Sequence, residues 1–211
     1  MTLHEETARR PIAARSSAWA IALSARLARA GVTPNAISVT SIPFAAIGGL
    51  LIVYPGHWLA LLGAALCVQL RLLCNLLDGM VAIEGGRKSA VGALYNEFPD
   101  RIADTLFLVP LGYAAGLPWL GWAAALLAAL TAYVRVFGGS LGLAQDFSGV
   151  MAKQRRMAAL TLGLVVQAVL SFFSAGLWPL VMTAAVIAAG SLITCVTRTV
   201  AIARKLEQET P

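Results

Sequence analysis

Acidic and amide side chains follow one another at helical spacing in the middle of the chain. Arg71, Asn75 and Asp78 stand four and then three residues apart, so one face of a helix carries all three. A second set follows at intervals of four residues: Asn96, Asp100 and Asp104. Ionisable groups are costly to insert into apolar segments, and a cluster of them there indicates a functional site.

Two helices joined by a short connection are antiparallel neighbours, so these two polar stripes are expected to face each other. Carboxylates brought together at low dielectric repel each other and take up protons unless a cation neutralises them. Oxygen ligands without His or Cys favour Mg²⁺, Mn²⁺ or Ca²⁺ over zinc. Such ions suit a phosphate-bearing substrate, because they neutralise its charge and stabilise its leaving group.

Each of these residues also has a purely structural interpretation. Asn75 could be an interhelical hydrogen-bonding group, and Gly79 and Gly92 could be packing sites. Asp104 could pair with one of the nearby arginines, Arg71 or Arg101. The joint spacing of the whole set favours a site over a coincidental collection of ion pairs.

The composition indicates which solvent surrounds these helices. Of the 211 residues, 59% are hydrophobic and 12% charged, whereas a soluble domain has about 25% charged residues. This excludes an ordinary water-soluble domain. A membrane-spanning helix needs about 20 mostly apolar residues, and the chain offers six such segments, 36–54, 57–77, 92–115, 117–137, 157–175 and 177–198. We therefore predict an all-α integral membrane protein with six transmembrane helices.

Basic residues occur on one side of this predicted topology. They precede the first segment, follow the last, and occupy the second and fourth connections, whereas the connections around Gly56, Gly116 and Gly176 contain no Lys or Arg. Lys and Arg are retained in the cytoplasm during insertion, so both termini are expected there, in a bacterial inner membrane. This rule and anionic lipid headgroups account for the net charge of +6, and no nucleic-acid partner is expected.

The segment before the first span is expected to lie on the membrane surface. Residues 12–30 place Trp19, Leu23 and Leu27 near one face, as in an interfacial amphipathic helix. Thr33 or Asn35 then provides the N-cap of the first span. The chain accordingly divides into a cytoplasmic N-terminal segment, a six-helix transmembrane catalytic domain and a cytoplasmic tail, at residues 1–35, 36–200 and 201–211.

The polar stretch resembles the signature of the CDP-alcohol phosphatidyltransferases, membrane enzymes of phospholipid synthesis, which reads D-x2-D-G-x2-A-R-x8-G-x3-D-x3-D. Every spacing agrees. The eight fixed positions are taken here by Asn75, Asp78, Gly79, Ala82, Ile83, Gly92, Asn96 and Asp100. Three residues depart from the signature, since Asn75 and Asn96 stand in place of Asp and Ile83 in place of Arg.

The resemblance implies a reaction in which an acceptor hydroxyl attacks a CDP-linked lipid alcohol such as CDP-diacylglycerol and releases CMP. It implies that Asp100 is the general base and that Mg²⁺ or Mn²⁺ is the cofactor. The implied metal ligands are Asn75, Asp78, Asn96 and Asp100, and the implied CDP-binding residues are Asp78, Gly79, Ala82 and Gly92. Two nearby carboxylates, Glu97 and Asp104, could compensate for the missing aspartates, with Asp104 on the same stripe as Asp100. An amide contributes no charge, so two ions should bind more weakly here than at a four-Asp site.

Basic residues near the fourth connection complete the expected site. Arg135, Lys153 and Arg156 could bind a phosphorylated acceptor or the lipid phosphate. The alternative is that these residues only fix the topology. The resemblance further implies a polar or phosphorylated alcohol acceptor, contact with membrane lipids and a homodimer.

Two other functions stay open at this point. The missing carboxylates allow a catalytically impaired member that binds nucleotide or lipid. A transporter with an acidic site is less expected, because the ladder lies at the cytoplasmic boundary of the spans, whereas transporter sites lie near the bilayer midplane.

Overall fold

The structure, a computed structural model, describes residues 17–84, 90–173 and 176–209. Seven α-helices and one 3-10 turn make up this part of the chain, which contains no strand. In chain order they are α1 Ala18–Arg29, α2 Pro34–Ile52, α3 Trp58–Glu84, α4 Gly92–Ala114, α5 Pro118–Ser140, α6 Lys153–Leu170, the 3-10 turn Ser171–Phe173, and α7 Trp178–Glu209.

Short turn signals separate the helices. Thr33 caps α2 by accepting a hydrogen bond from the Ala36 amide at 3.2 Å, which confirms it as the N-cap, and Pro34 occupies the first helical position. Helix α4 ends at Ala114, and Gly116 follows it with a φ of +73°, which is unfavourable for residues with a side chain. Pro118 then opens α5.

The helices pack into one bundle around a continuous apolar core. Helix α2 packs on α3 and α4, while α5 packs on α4 and α7; α6 lies against α3 and α7. Gly112 of α4 and Gly121 of α5 face each other, and a Cβ on either would meet the backbone of the other helix. These two helices therefore approach each other backbone to backbone.

Five helices of the described chain are long and apolar enough to cross a membrane. Helix α4 is not among them, although its bounds match the predicted third segment, 92–115. Its N-terminal half carries Glu97, Asp100, Arg101 and Asp104, which lower its apolar character. The all-helical fold class is thus confirmed. Length and apolarity identify five candidate spans among the described residues, one fewer than the six predicted.

Several helices extend beyond the predicted apolar segments. Helix α3 continues to Glu84, α6 begins at Lys153, and α7 runs to Glu209 through the stretch predicted as a tail. Apolarity sets the predicted limits, whereas an α-helix satisfies its own backbone hydrogen bonds and can continue past the apolar region. The extensions of α3 and α6 carry Asp78, Lys153 and Arg156 of the predicted site.

The predicted interfacial segment contains helix α1, while residues 12–16 lie outside the described residues. Leu23 and Leu27 of α1 pack against an apolar cluster that contains Ile37 and Leu77. Trp19 remains about half exposed. Part of the predicted apolar face is therefore packed against the bundle.

Candidate active site

Helix α3 presents the first polar stripe towards its neighbours. Asp78 accepts a 2.6 Å hydrogen bond from the Ser38 hydroxyl of α2, and only 6% of the residue is exposed. One turn earlier, the Asn75 amide nitrogen donates to the Arg71 carbonyl at 3.0 Å, which leaves its oxygen pointing to other partners. Ser38 was not recognised in the sequence because it lies forty residues from Asp78.

Helix α4 presents the second stripe against the first. Arg71 Nη2 lies 3.1 Å from Oδ1 of Asp100 and 3.1 Å from Oδ1 of Asp104. The guanidinium, which is fully buried, therefore ties α3 to two successive turns of α4. The two predicted stripes therefore meet through Arg71, Asp100 and Asp104.

Asp104 belongs to a buried ion-pair network. Its second oxygen, Oδ2, accepts a 2.6 Å hydrogen bond from Arg156 of α6, and Arg156 also donates to the Met151 carbonyl. Both Asp104 oxygens are thus held by arginines, and the pairing with Arg71 is one of the structural alternatives foreseen from the sequence. Asp104 would have to give up one of these pairs to bind a metal ion.

Lys153 connects the two stripes. The side chain is 8% exposed, and its ammonium contacts Oδ1 of Asn75 and Oδ2 of Asp100. Asp78 lies within electrostatic reach of both Lys153 and Asp100. Three helices therefore converge on one point, where a cation already sits between an amide and a carboxylate.

A cavity of about 770 Å³ opens beside this point. Six of the predicted site residues line it: Asn75, Asn96, Asp100, Arg135, Lys153 and Arg156. Five do not: Asp78, Gly79, Ala82, Gly92 and Asp104. The cavity thus brings together the predicted acceptor-binding residues and part of the predicted metal set, whereas the predicted nucleotide-binding residues lie outside its wall.

Arg135 is held in place at the cavity wall. It donates a 2.6 Å hydrogen bond to Glu97 and contacts the side-chain Oε1 of Gln145, and its guanidinium lies 4.9 Å from the centre of the Phe147 ring. Glu97 lies 3.8 Å from Arg101 as well. Glu97 therefore pairs with cations of the wall.

Arg198 of α7 is a wall residue that the sequence reasoning missed. It donates to the Ser148 carbonyl at 2.5 Å and to the Thr131 carbonyl at 2.6 Å. An arginine within an apolar span is itself a signal of a site, and this signal could have identified it. Its contacts fasten the connection between α5 and α6 to the bundle.

That connection has its own local order. The Ser148 amide donates to Asp146 Oδ1 at 2.8 Å. Partial burial alone would raise the pKa of the Asp146 carboxyl, but the hydrogen bonds from Ser148 outweigh this and hold the pKa below its ordinary value. The carboxylate therefore stays ionised and stabilises the turn that presents the Ser148 carbonyl to Arg198.

The donor set of the two stripes suits a hard divalent cation but supplies little charge. The signature positions offer carboxylates from Asp78 and Asp100 and amides from Asn75 and Asn96, all of which are oxygen donors. Within the described residues, no three acidic, His or Cys side chains meet at a point that could hold a metal. The residues fit metal binding by donor chemistry, with two formal negative charges where a four-Asp set would supply four.

No family model matches the chain. Phosphatidylinositol phosphate synthase of Mycobacteroides abscessus is 27% identical over 192 residues, covering 83% of the chain and 80% of that relative. Archaetidylinositol phosphate synthase of Aeropyrum pernix is 34% identical over 137 residues, covering 64% of the chain and 67% of that relative.

Two solved structures of the phosphatidylinositol phosphate synthase of Mycobacterium tuberculosis share the fold. The structure with CDP-DAG bound has a TM-score of 0.73 at 24% identity, covering 88% of this chain and 94% of that one. The complex with manganese and citrate has a TM-score of 0.72 at 23% identity, covering 87% and 88%. With its apolar helices and these relatives, this multi-pass membrane protein belongs to the CDP-alcohol phosphatidyltransferase family.

Proposed function

We propose that the protein transfers a phosphatidyl or related phosphoalcohol group from a CDP-alcohol, such as CDP-diacylglycerol, to an acceptor hydroxyl and releases CMP. The observation that carries this proposal is the convergence of Asn75, Asp100 and Lys153 at the wall of the cavity. Relatives named as synthases of inositol-phosphate lipids support it. We infer a polar or phosphorylated alcohol as the acceptor.

In this proposal Asp100 receives the proton of the acceptor hydroxyl. The acceptor oxygen then forms a bond to the β-phosphorus of the donor, and the bond from that phosphorus to the CMP oxygen breaks. Arg71 and Lys153 contact the carboxylate of Asp100 and keep it ionised, as a base must be. Proton transfer requires the carboxylate to exchange one of these cationic contacts for the acceptor hydroxyl.

We infer that Mg²⁺ or Mn²⁺ is held by oxygens of Asn75, Asp78, Asn96 and Asp100, with Asp104 a more remote candidate because its oxygens are paired. When bound, the metal would neutralise the diphosphate and stabilise the CMP leaving group. Ser38 orients the Asp78 carboxylate towards this role through its 2.6 Å hydrogen bond.

The remaining roles follow the signature and the cavity wall. We propose Asp78, Gly79, Ala82 and Gly92 as the nucleotide-binding residues, since small side chains allow a base or a diphosphate to approach the helix backbones. Arg135, Lys153 and Arg156 are proposed for the acceptor or its phosphate, and Arg198 joins them because it lines the same cavity.

We propose six transmembrane helices, with α4 as the third and with α1 at the cytoplasmic interface. Helix α4 has 23 residues, about 34 Å at 1.5 Å per residue, enough to cross a hydrocarbon core of about 30 Å. Its buried carboxylates, Asp100 and Asp104, face cations of the bundle, so they do not face lipid. Both termini lie in the cytoplasm. Residues 1–35 form the N-terminal segment, residues 36–200 the transmembrane catalytic domain and residues 201–211 the tail. The protein is a homodimer of the bacterial inner membrane.

One observation favours the alternative of a catalytically impaired member that binds nucleotide or lipid. Both oxygens of Asp100 already contact cations of the protein, which lowers the tendency of the carboxylate to accept a proton. Binding of a CDP-alcohol does not require that step, whereas transfer does.

A CMP-release assay separates the two functions. Purified protein in detergent receives CDP-diacylglycerol, Mg²⁺ or Mn²⁺ and a panel of polar and phosphorylated alcohols. We expect acceptor-dependent CMP release that Asp100→Asn abolishes and that Glu207→Gln, an exposed control on α7, leaves unchanged. CDP-lipid binding with no CMP release from any acceptor would support the binding protein instead.

A further inference from the structure

We propose that the Lys153 ammonium takes the place of one divalent cation between Asn75 and Asp100, so that the protein binds a single divalent ion. This inference rests on the proposed function and concerns the same site. It assigns Lys153 a role beyond acceptor binding.

The first support is the position of the ammonium. It contacts Oδ1 of Asn75 and Oδ2 of Asp100, two oxygens that belong to signature positions on different helices. Lys153 begins α6 and is 8% exposed, so the charge is fixed from a third helix and is largely shielded from solvent. The ammonium therefore supplies positive charge to the same two oxygens that would hold a metal ion.

The second support is the match between the ammonium and the residue at position 75. Asn75 is a neutral acceptor, and its amide nitrogen is occupied by the Arg71 carbonyl, so its oxygen is turned to the ammonium. An ammonium is a compact point charge with three donors and suits an amide and a carboxylate together. An aspartate at position 75 would add the negative charge that a divalent ion needs.

The third support is the charge balance around Asp100. Arg71 contacts the other Asp100 oxygen, and Arg156 pairs with neighbouring Asp104. A second divalent ion beside Lys153 would meet three cationic side chains in a low-dielectric region, where like charges repel strongly. Asp78 has no cation within ion-pair distance in the described part of the chain, whereas Asp100, Asp104 and Glu97 each have one, so Asp78 is available to the single divalent ion.

Counting bound Mn²⁺ tests the inference independently of activity. The full chain in detergent is titrated with Mn²⁺ alone, and free Mn²⁺ is followed by electron paramagnetic resonance. We expect one Mn²⁺ per chain for the wild type and two for the double variant Asn75→Asp/Lys153→Met. Lys205→Met, an exposed lysine at the end of α7, is the matched control and should keep one.

Two Mn²⁺ ions in the wild type, or none, would overturn the inference, as would an unchanged count in a folded double variant. If the double variant does not fold, the wild-type count still decides, and Lys153→Gln alone should raise the affinity for a second ion at least tenfold. One Mn²⁺ without CMP release would leave this inference standing and remove the proposed function. CMP release with two bound ions would support the proposed function and overturn this inference.

Discussion

At the scale of single residues, the site depends on which oxygens are already paired. Asp104 is held by Arg71 and Arg156, whereas Asp78 is held by a neutral hydroxyl from Ser38. Two carboxylates of the same polar ladder therefore have different expected roles. Asp104 stabilises the bundle, and Asp78 is available to a cation.

Arg156→Met is expected to destabilise the protein. The substitution leaves Asp104 buried with only one of its two arginine partners, and breaking a buried pair in this way costs about 3–5 kcal/mol. Thermal unfolding in detergent should show a clearly lower Tm. The matched control is Arg155→Met, because Arg155 is exposed and donates to the Gly149 carbonyl at 3.2 Å. Equal Tm values for the two variants would argue against a structural role for the Asp104 network.

Ser38→Ala is expected to weaken Mn²⁺ binding without unfolding the protein. The hydroxyl donates at 2.6 Å to Asp78, and loss of a group that orients a metal ligand typically costs about 10- to 100-fold in affinity. Ser41→Ala on the same helix is the control, since its hydroxyl bonds to the Ser38 carbonyl. The same Mn²⁺ affinity in both variants would remove Asp78 from the metal site.

At the scale of helices, the sequence located the elements but not their ends or their side-chain partners. Helical spacing predicted two polar stripes, because helical periodicity places such residues on one face, and Arg71 of the first stripe contacts Asp100 and Asp104 of the second. Lys153 could not be placed between them from sequence, since its position depends on how α6 packs against α3 and α4. The ends of α3 and α7 were also not predicted. Apolarity marks the length of a helix that lies in lipid, whereas backbone hydrogen bonds can continue the helix beyond that length.

The contact between α4 and α5 gives a prediction at this scale. A Cβ at Gly121 would meet the backbone of α4 at Leu108 and Val109, so Gly121→Val must separate the helices. We expect a loss of about 1–3 kcal/mol from overpacking, seen as a lower Tm and a lower yield of folded protein. Gly56→Ala, where no atom lies within 4 Å of the added carbon, should behave as wild type. A Gly121→Val variant with unchanged Tm would contradict the close approach.

At the scale of the whole molecule, the topology depends on α4 as the third membrane span. Five other helices are apolar enough to do so, and an even number of spans is required to keep both termini on one side. Asp100 and Asp104 of α4 are buried and paired with arginines of the bundle, which allows this helix to cross the membrane despite its charged residues.

Cysteine labelling tests this topology. In a background with Cys67, Cys74 and Cys195 replaced by alanine, Gly56→Cys and Trp119→Cys should react with an impermeant maleimide from the periplasmic side. Lys205→Cys should react only from the cytoplasmic side, in inverted vesicles. Trp119→Cys labelled from the same side as Lys205→Cys would show that α4 does not cross.

The central claim, phosphatidyl transfer with release of CMP, is tested most directly by measuring both products in one reaction. Wild-type protein, CDP-diacylglycerol, Mn²⁺ and the best acceptor are incubated, and mass spectrometry quantifies CMP and the new phosphodiester lipid. We predict equal amounts of the two products, and neither above background for Asp100→Asn. CMP without a matching lipid would indicate hydrolysis, and the absence of both products despite measurable CDP-lipid binding would contradict the account.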